Sequence, residues 1–221
     1  MLTNIASAID KEPSIAQNIP KLTIMGGHFY DIVYQGTTLP QGIDYNLCSD
    51  PIATCKVLKN AQIKNMLLVP ADVTLHTYLT ESHLETLRKI DHPFVQTMVR
   101  DVQQWTPKQR YGKTTSFLTE SREFLRRCGI TEPEESNVAF LHDPLALYCA
   151  VGGPLCELKT EKVTIIVDTT GLAIQTKLVT DLGEQGASTT CGVVRSAKNF
   201  LFAEFFVRLA TNHFHGETPY T

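Results

Sequence analysis

Two short apolar runs, each broken by a turn, constrain the fold more than any other feature of this chain. Leu22-Thr-Ile-Met25, entered from Lys21, stops at Gly26-Gly27, and Asn65-Met-Leu-Leu-Val69 stops at Pro70-Ala71-Asp72-Val73-Thr74. Runs of this length, apolar without alternation and bounded by turn residues, read as strands covered on both faces. Open α/β sheets bind their ligands just past the carboxyl ends of such strands. The two exits, at Met25-Gly26-Gly27 and at Pro70 to Thr74, are therefore the first places to look for chemistry.

The rest of the chain supplies helices for that sheet. Leu2 to Ile9 carries a helical face closed at Glu12-Pro13, and Tyr30 to Gly42 reads as a long loop. Asp50-Pro51 opens the helix PIATCKVLKNA, with Asp as the N-cap and Pro at the first helical position. Between Glu81 and Arg127, the segments ESHLETLRKI, HPFVQTMVRDVQQW and SFLTESREFLRRC repeat apolar residues at three-to-four spacing. Phe140-Leu-His-Asp-Pro144 brings a second Asp-Pro start ahead of an apolar helix. Asp143 is read there either as a cap or as a functional carboxylate, with His142 at its side. Glu161 to Thr169 and Leu172 to Asp181, split by Thr170-Gly171, alternate as a β-hairpin does. Cys191 to Val194 reads as a further strand, and AKNFLFAEFFVRLA as a final amphipathic helix. No repeat or linker-like stretch interrupts the chain, so residues 1–221 are read as a single domain.

Charge and composition exclude several classes of partner. The formal net charge is −3, which gives no basic footprint for nucleic acid and none for a membrane surface. No apolar run is long enough to span a bilayer, and MLTNIASAIDKEPSIAQ lacks the basic and apolar blocks of a secretory signal, so a cytoplasmic location is expected. The six cysteines, Cys48, Cys55, Cys128, Cys149, Cys156 and Cys191, show no C-x-x-C spacing that would suggest zinc or a redox pair. Cys149 reads as a small packed hydrophobe in preference to a nucleophile. There is no G-x-S-x-G elbow for acyl transfer, and Gly26-Gly27 lacks the remaining glycines of a dinucleotide loop.

Four pieces in order, LTNIASAIDKEPSIAQNIPKLTIMGG, DYNLCSDP with LLVPADVT behind it, FLHDPLALY, and KVTIIVDTTGLAIQTKLVTD, together resemble the inosine-uridine-preferring nucleoside hydrolases. The resemblance runs from about Leu2 to the final helix. It implies an α/β fold with a Rossmann-like, mostly parallel sheet flanked by helices, a C-terminal β-hairpin and a final helix. It also implies a bound calcium ion (Ca2+) and hydrolysis of the N-glycosidic bond of a ribonucleoside substrate. Cleaving a ribosyl bond passes through an oxocarbenium-like sugar, which calls for carboxylates near the ring, an activated water and help for the departing base. By resemblance, Asp143 is a metal-binding carboxylate and His142 the histidine beside the leaving base. Asp44 stands where relatives have a glutamate on a ribose hydroxyl, and Asn46 where they have an asparagine in a similar role. Met25 is placed against the sugar, with ordinary core packing as the alternative. Thr37 or Thr38 would replace a loop asparagine of the family. Trp105, Tyr111, Phe117 and Tyr148 are candidates for the base end of the pocket, each with core or surface packing as the alternative.

The aspartate-rich run of type D-x-D-x-x-x-D-D that opens members of this family has no counterpart in these 221 residues. The chain is therefore expected to be the C-terminal part of such a domain, truncated at the N-terminal side, with a strand edge uncovered there. With one assignable carboxylate against the six to eight oxygens calcium takes, weak ion binding and slow or absent turnover are expected. A homo-oligomer is expected if the domain is complete. The alternative is a non-catalytic nucleoside- or ribose-binding or interaction module on the same scaffold.

Overall fold

The computed structural model describes residues 2–29, 32–34, 37–39, 44–111, 137–167, 174–178 and 187–214. The elements in chain order begin with α1 (Thr3–Lys11), a 3-10 turn (Pro13–Asn18), β1 (Leu22–Met25), β2 (Ile32–Tyr34), β3 (Thr37–Leu39), α2 (Tyr45–Cys48) and α3 (Pro51–Leu58). There follow β4 (Met66–Val69), α4 (Ala71–Thr74), β5 (Tyr78–Thr80), α5 (Glu81–Arg88), α6 (Pro93–Tyr111) and β6 (Asn137–Phe140). The last described elements are α7 (His142–Ala150), β7 (Cys156–Val167), β8 (Ile174–Leu178), β9 (Ala187–Ala197) and α8 (Asn199–Phe214). They fall into two compact units: Met1–Ile32, Pro40–Thr74 and His142–Ala197 make the first, and Val33–Leu39, Leu75–Leu141 and Lys198–Thr221 the second.

The first unit is built on a five-stranded sheet in the order β1-β4-β9-β7-β8. β1 and β4 are parallel with Met25 level with Val69, so the two expected strands end side by side. β4 and β9 are also parallel. The other two pairings, β7 with β9 and β7 with β8, are antiparallel. The expectation of a mostly parallel sheet is thus corrected to a mixed one. The cause is local: the connection from Val167 to Ile174 is too short for the crossover that a parallel pair requires, so β7 and β8 form the expected hairpin. β9 then returns along the other side of β7, extending well beyond the Cys191 to Val194 run read from the sequence.

The expected truncated N-terminal side is corrected on one point: a helix, α1, is present there and packed into the core. Leu2, Ala6 and Ile9 are buried and belong to one apolar cluster with Ala53, Val57 and Leu58 of α3, Ile24 of β1 and Leu68 of β4. Thr3 Oγ1 donates to Asp50 Oδ2 at 2.7 Å, and Asp50 Oδ1 accepts from Ala53 N at 3.0 Å, the cap that the Asp50-Pro51 pair foretold. All four residues of β4 are buried. This fits a strand with helices on both faces and accounts for its unbroken apolar sequence.

In the second unit, β5 and β6 pair antiparallel with Tyr78 opposite Phe140, and α5 packs against both α6 and α8. His83, buried on α5, accepts at Nδ1 from the Thr80 amide at 3.0 Å and meets Glu204 of α8 through Nε2 at 3.0 Å. The expected helix Ser116 to Cys128 and the Thr170-Gly171 turn lie outside the described residues. Within the stretch read as a loop from Tyr30 to Gly42, β2 and β3 pair with each other.

Candidate functional site

The candidate site is assembled at the carboxyl ends of β1 and β4, in the first unit. Leaving β1, the Gly26 amide donates to Val69 O at 3.1 Å, and Gly27 O accepts from the Ala71 amide at 2.8 Å. Gly27 has φ of 102°, a left-handed conformation that side chains resist. A Cβ on Gly27 would also lie 2.9 Å from the Phe29 ring. Phe29 is 1% exposed, and its amide donates to both carboxylate oxygens of Asp72, at 3.1 and 2.9 Å. The two strand exits are thereby tied together by backbone and by one carboxylate.

Asp44, Asn46 and Met25 meet at this edge. Asp44 is the N-cap of α2, its Oδ1 accepting from Asn46 N at 2.9 Å and Leu47 N at 3.3 Å. Asp44 is 8% exposed, and Oδ2 is buried with no hydrogen-bond partner among the described residues. Loss of hydration raises its pKa above the usual carboxylate value, against the lowering effect of the Leu47, Gly27 and Asn46 amides and of His28. Asn46 Nδ2 donates to Met25 O at 3.2 Å and contacts Met25 Sδ at 3.0 Å. Leu47 packs so closely on Gly26 that a Cβ there would lie 3.2 Å from its side chain. This explains a glycine at the strand exit: α2 rests directly on the backbone. Thr54, fully buried, locks the arrangement by donating to Leu47 O at 2.8 Å.

His142 reaches the same edge from the β4 side. α4 begins two residues after β4 ends, and its last residue, Thr74, is fully buried. Thr74 Oγ1 lies 2.7 Å from His142 Nδ1, and α7 packs against β1, β4 and α4. Burial pushes the His142 pKa down to about 4, the nearby Asp143 charge opposing it. The imidazole is therefore neutral at pH 7. α7 starts at His142, one residue ahead of the Asp143 cap read from the sequence, so Asp143 lies in its first turn, exposed.

Thr74 was not singled out from the sequence as a partner of His142. The available signal was its position at the polar end of LLVPADVT, immediately after a buried strand. Of the candidates for the base end, Tyr148 lies over Gly153 at the far end of α7, where a Cβ on that glycine would run into its ring. Trp105 belongs to the second unit, is 43% exposed, and with Phe94, Thr97, Met98, Asp101 and Val102 lines an apolar groove of about 480 Å³. Phe117 lies outside the described residues, as do the side chains of Tyr111, Thr37 and Thr38.

Among the described residues no three His, Cys, Asp or Glu side chains gather as a metal site would need. Asp143 alone is a poor match to calcium, which takes six to eight oxygens. The residues described do not fit the ion, and no chemistry is derived through it.

The sequence model of the inosine-uridine preferring nucleoside hydrolases matches residues 1–204. Among solved structures, the plant nucleoside hydrolase PpNRh1 is similar at a TM-score of 0.66 and 19% identity, over 95% of this chain and 59% of that one. A purine-preferring ribonucleoside hydrolase from Gardnerella vaginalis gives 0.64 and 22%, over 95% of this chain and 58% of that one. At such identities these two show the fold. An uncharacterized protein of Schizosaccharomyces pombe, C17G8.02, is 33% identical over 114 residues, 50% of this chain and 33% of its own length. The chain thus spans about three-fifths of the length of the two solved relatives and a third of the yeast protein. The expectation of a likeness limited to the family's C-terminal part is corrected by the family match, which begins at residue 1 and takes in nearly the whole chain.

Proposed function

Because this chain belongs to the inosine-uridine preferring nucleoside hydrolase family, we propose that it binds ribonucleosides at the exits of β1 and β4 and hydrolyses their N-glycosidic bond. The observation that carries this reading is the placement of both halves of the needed chemistry on neighbouring strand ends. Asp44, Asn46 and Met25 stand at one exit, and Thr74 holds His142 at the other.

Asp44 Oδ2 is a buried acceptor with an unused bond. A ribose hydroxyl entering there would satisfy it, and would recover part of the cost of keeping a carboxylate in a dry site. Asn46 fixes Met25 against the strand end, so that the thioether packs on the sugar. His142 works from the neutral state. Its Nδ1 faces Thr74, and in this reading Nε2 is the nitrogen that turns toward the base. As the glycosidic bond lengthens, negative charge builds on the base, and a hydrogen bond from the imidazole strengthens with it. Membership of the family is consistent with calcium-dependent chemistry in general. Asp143 is the carboxylate this chain would offer, and no step is assigned to the ion. A cytoplasmic location and a homo-oligomeric assembly belong to the same proposal.

Incubation with inosine, uridine and further purine and pyrimidine ribonucleosides, with and without calcium, tests the reading by chromatography of the free base. Base release that is lost in His142→Ala supports it. A second reading is nucleoside binding without cleavage, since among the described residues no three His, Cys, Asp or Glu side chains gather. It is distinguished by thermal stabilisation with inosine and no free base from any nucleoside.

A further inference from the structure

Cys149 and Cys156 lie seven residues apart at the junction of α7 and β7, and the fold brings their sulfurs to 3.3 Å. The contact is built from three sides. Lys21, just ahead of β1, donates through Nζ to the carbonyls of Cys149 and Ala150 at 3.0 and 2.8 Å, fixing the end of the helix that carries Cys149. The chain then turns back through Gly152, at φ of 80°, with the amides of Gly152 and Gly153 bonded to Cys149 O and Tyr148 O at 3.2 and 3.0 Å. Cys156 is finally held as the first residue of β7, level with Ala197 of β9. Cys149 is 1% exposed, whereas Cys156 is half-buried.

The two thiols are chemically unequal. The Cys149 thiol donates to the Cys156 sulfur, which holds Cys156 below its ordinary range. That same hydrogen bond, together with burial, pushes Cys149 up. Cys191, in the same unit, is pushed up to about 12 by burial and by the charge of Glu161. A half-buried sulfur 3.3 Å from a fully buried one is the arrangement of an attacking and a resolving cysteine.

We propose that Cys149 and Cys156 are a reversible oxidation site, which a small peroxide such as hydrogen peroxide converts to an intramolecular disulfide joining the end of α7 to the start of β7. The Cys156 thiolate attacks one peroxide oxygen and breaks the O–O bond. It becomes a sulfenic acid as the other oxygen leaves as hydroxide and takes up the thiol proton to become water. Cys149 sulfur then attacks Cys156 sulfur, the S–O bond breaks, and the hydroxyl leaves as a second water with the Cys149 proton. Two thiols are oxidised by two electrons and one peroxide is reduced to two waters. Closure brings the sulfurs from 3.3 Å to the bond length of about 2.0 Å.

The test uses the full chain, reduced, freed of reductant and treated with stoichiometric hydrogen peroxide before the remaining thiols are alkylated. Chymotryptic cleavage after Tyr148 and Leu155 separates the two cysteines, so non-reducing peptide mass spectrometry reads the linkage directly. The expected result is a Cys149–Cys156 disulfide that forms ahead of any oxidation of Cys191 and is reversed by dithiothreitol. Cys149→Ser leaves Cys156 as a sulfenic acid trapped by dimedone, and Cys156→Ser leaves Cys149 a thiol at the same dose. Both cysteines remaining thiols while others oxidise, or Cys156 joined to a different cysteine, would overturn the proposal. The wild-type peptide map decides the matter without either variant, should one fail to fold.

Discussion

Acidification should destabilise this protein through His142, and the size of the effect follows from its surroundings. The ring ordinarily titrates near 6.5, and burial beside Thr74 pushes it down to about 4 in the folded chain. Between those values the unfolded chain binds a proton that the folded chain does not, so stability falls as pH falls and is fully present only above 6.5. Lowering the pH from 7 to 5 then removes about 2 kcal/mol from the unfolding free energy. Asp44 acts with the opposite sign, because its folded pKa is raised by burial. The His142 contribution is therefore read as a difference: urea denaturation of the wild type and of His142→Gln at closely spaced pH values, in the presence of a chelator. The gap between the two should change by about 2 kcal/mol over this range. Parallel curves for the two proteins, or a titration of His142 near 6.5 by NMR in the folded state, would refute the assignment of a buried neutral imidazole.

Two further outcomes are expected at the β1 exit. Gly27→Ala places a side chain at φ of 102° and 2.9 Å from the Phe29 ring, which should cost about 1–3 kcal/mol in urea unfolding; a loss no larger than that of an exposed glycine-to-alanine change would contradict the geometry. Asp44→Asn keeps an oxygen acceptor for the α2 cap and removes a buried charge. It should be more stable than the wild type at pH 7, with the difference closing as the pH falls through the unfolded value of 3.8, while nucleoside affinity drops. Equal stability at neutral pH, or affinity left intact, would count against the role given to this carboxylate.

The strands that place the site were legible because their burial is written in consecutive apolar residues. Leu22–Met25 and Met66–Val69 end where glycine and a Pro-Ala-Asp turn stand in the chain. The Asp50 cap was equally plain, with Asp at the N-cap and Pro at the first helical position. The sheet's mixed character was harder to see. The hairpin was read from its alternation and turn, but no local pattern shows that β9 joins it antiparallel to the sheet of β1 and β4. At the site, Asn46 lies against Met25 and beside Asp44, and the cap made by Asp44 Oδ1 was not anticipated. The Thr74–His142 contact joins residues 68 positions apart, and no local pattern encodes it. The cysteine pair was missed for a different reason. Its separation of seven residues resembles no metal or redox spacing, and the contact arises only because Gly152 reverses the chain.

Hydrogen–deuterium exchange with inosine, and in parallel with its free base hypoxanthine, tests most directly whether the β1 and β4 exits hold the sugar. Slower exchange with inosine is expected in peptides covering Met25 to Phe29, Asp44 to Leu47 and the start of α7, with the first two unchanged by hypoxanthine. Protection confined to the α6 groove of the second unit, or none at the strand exits with saturating inosine, would contradict the account.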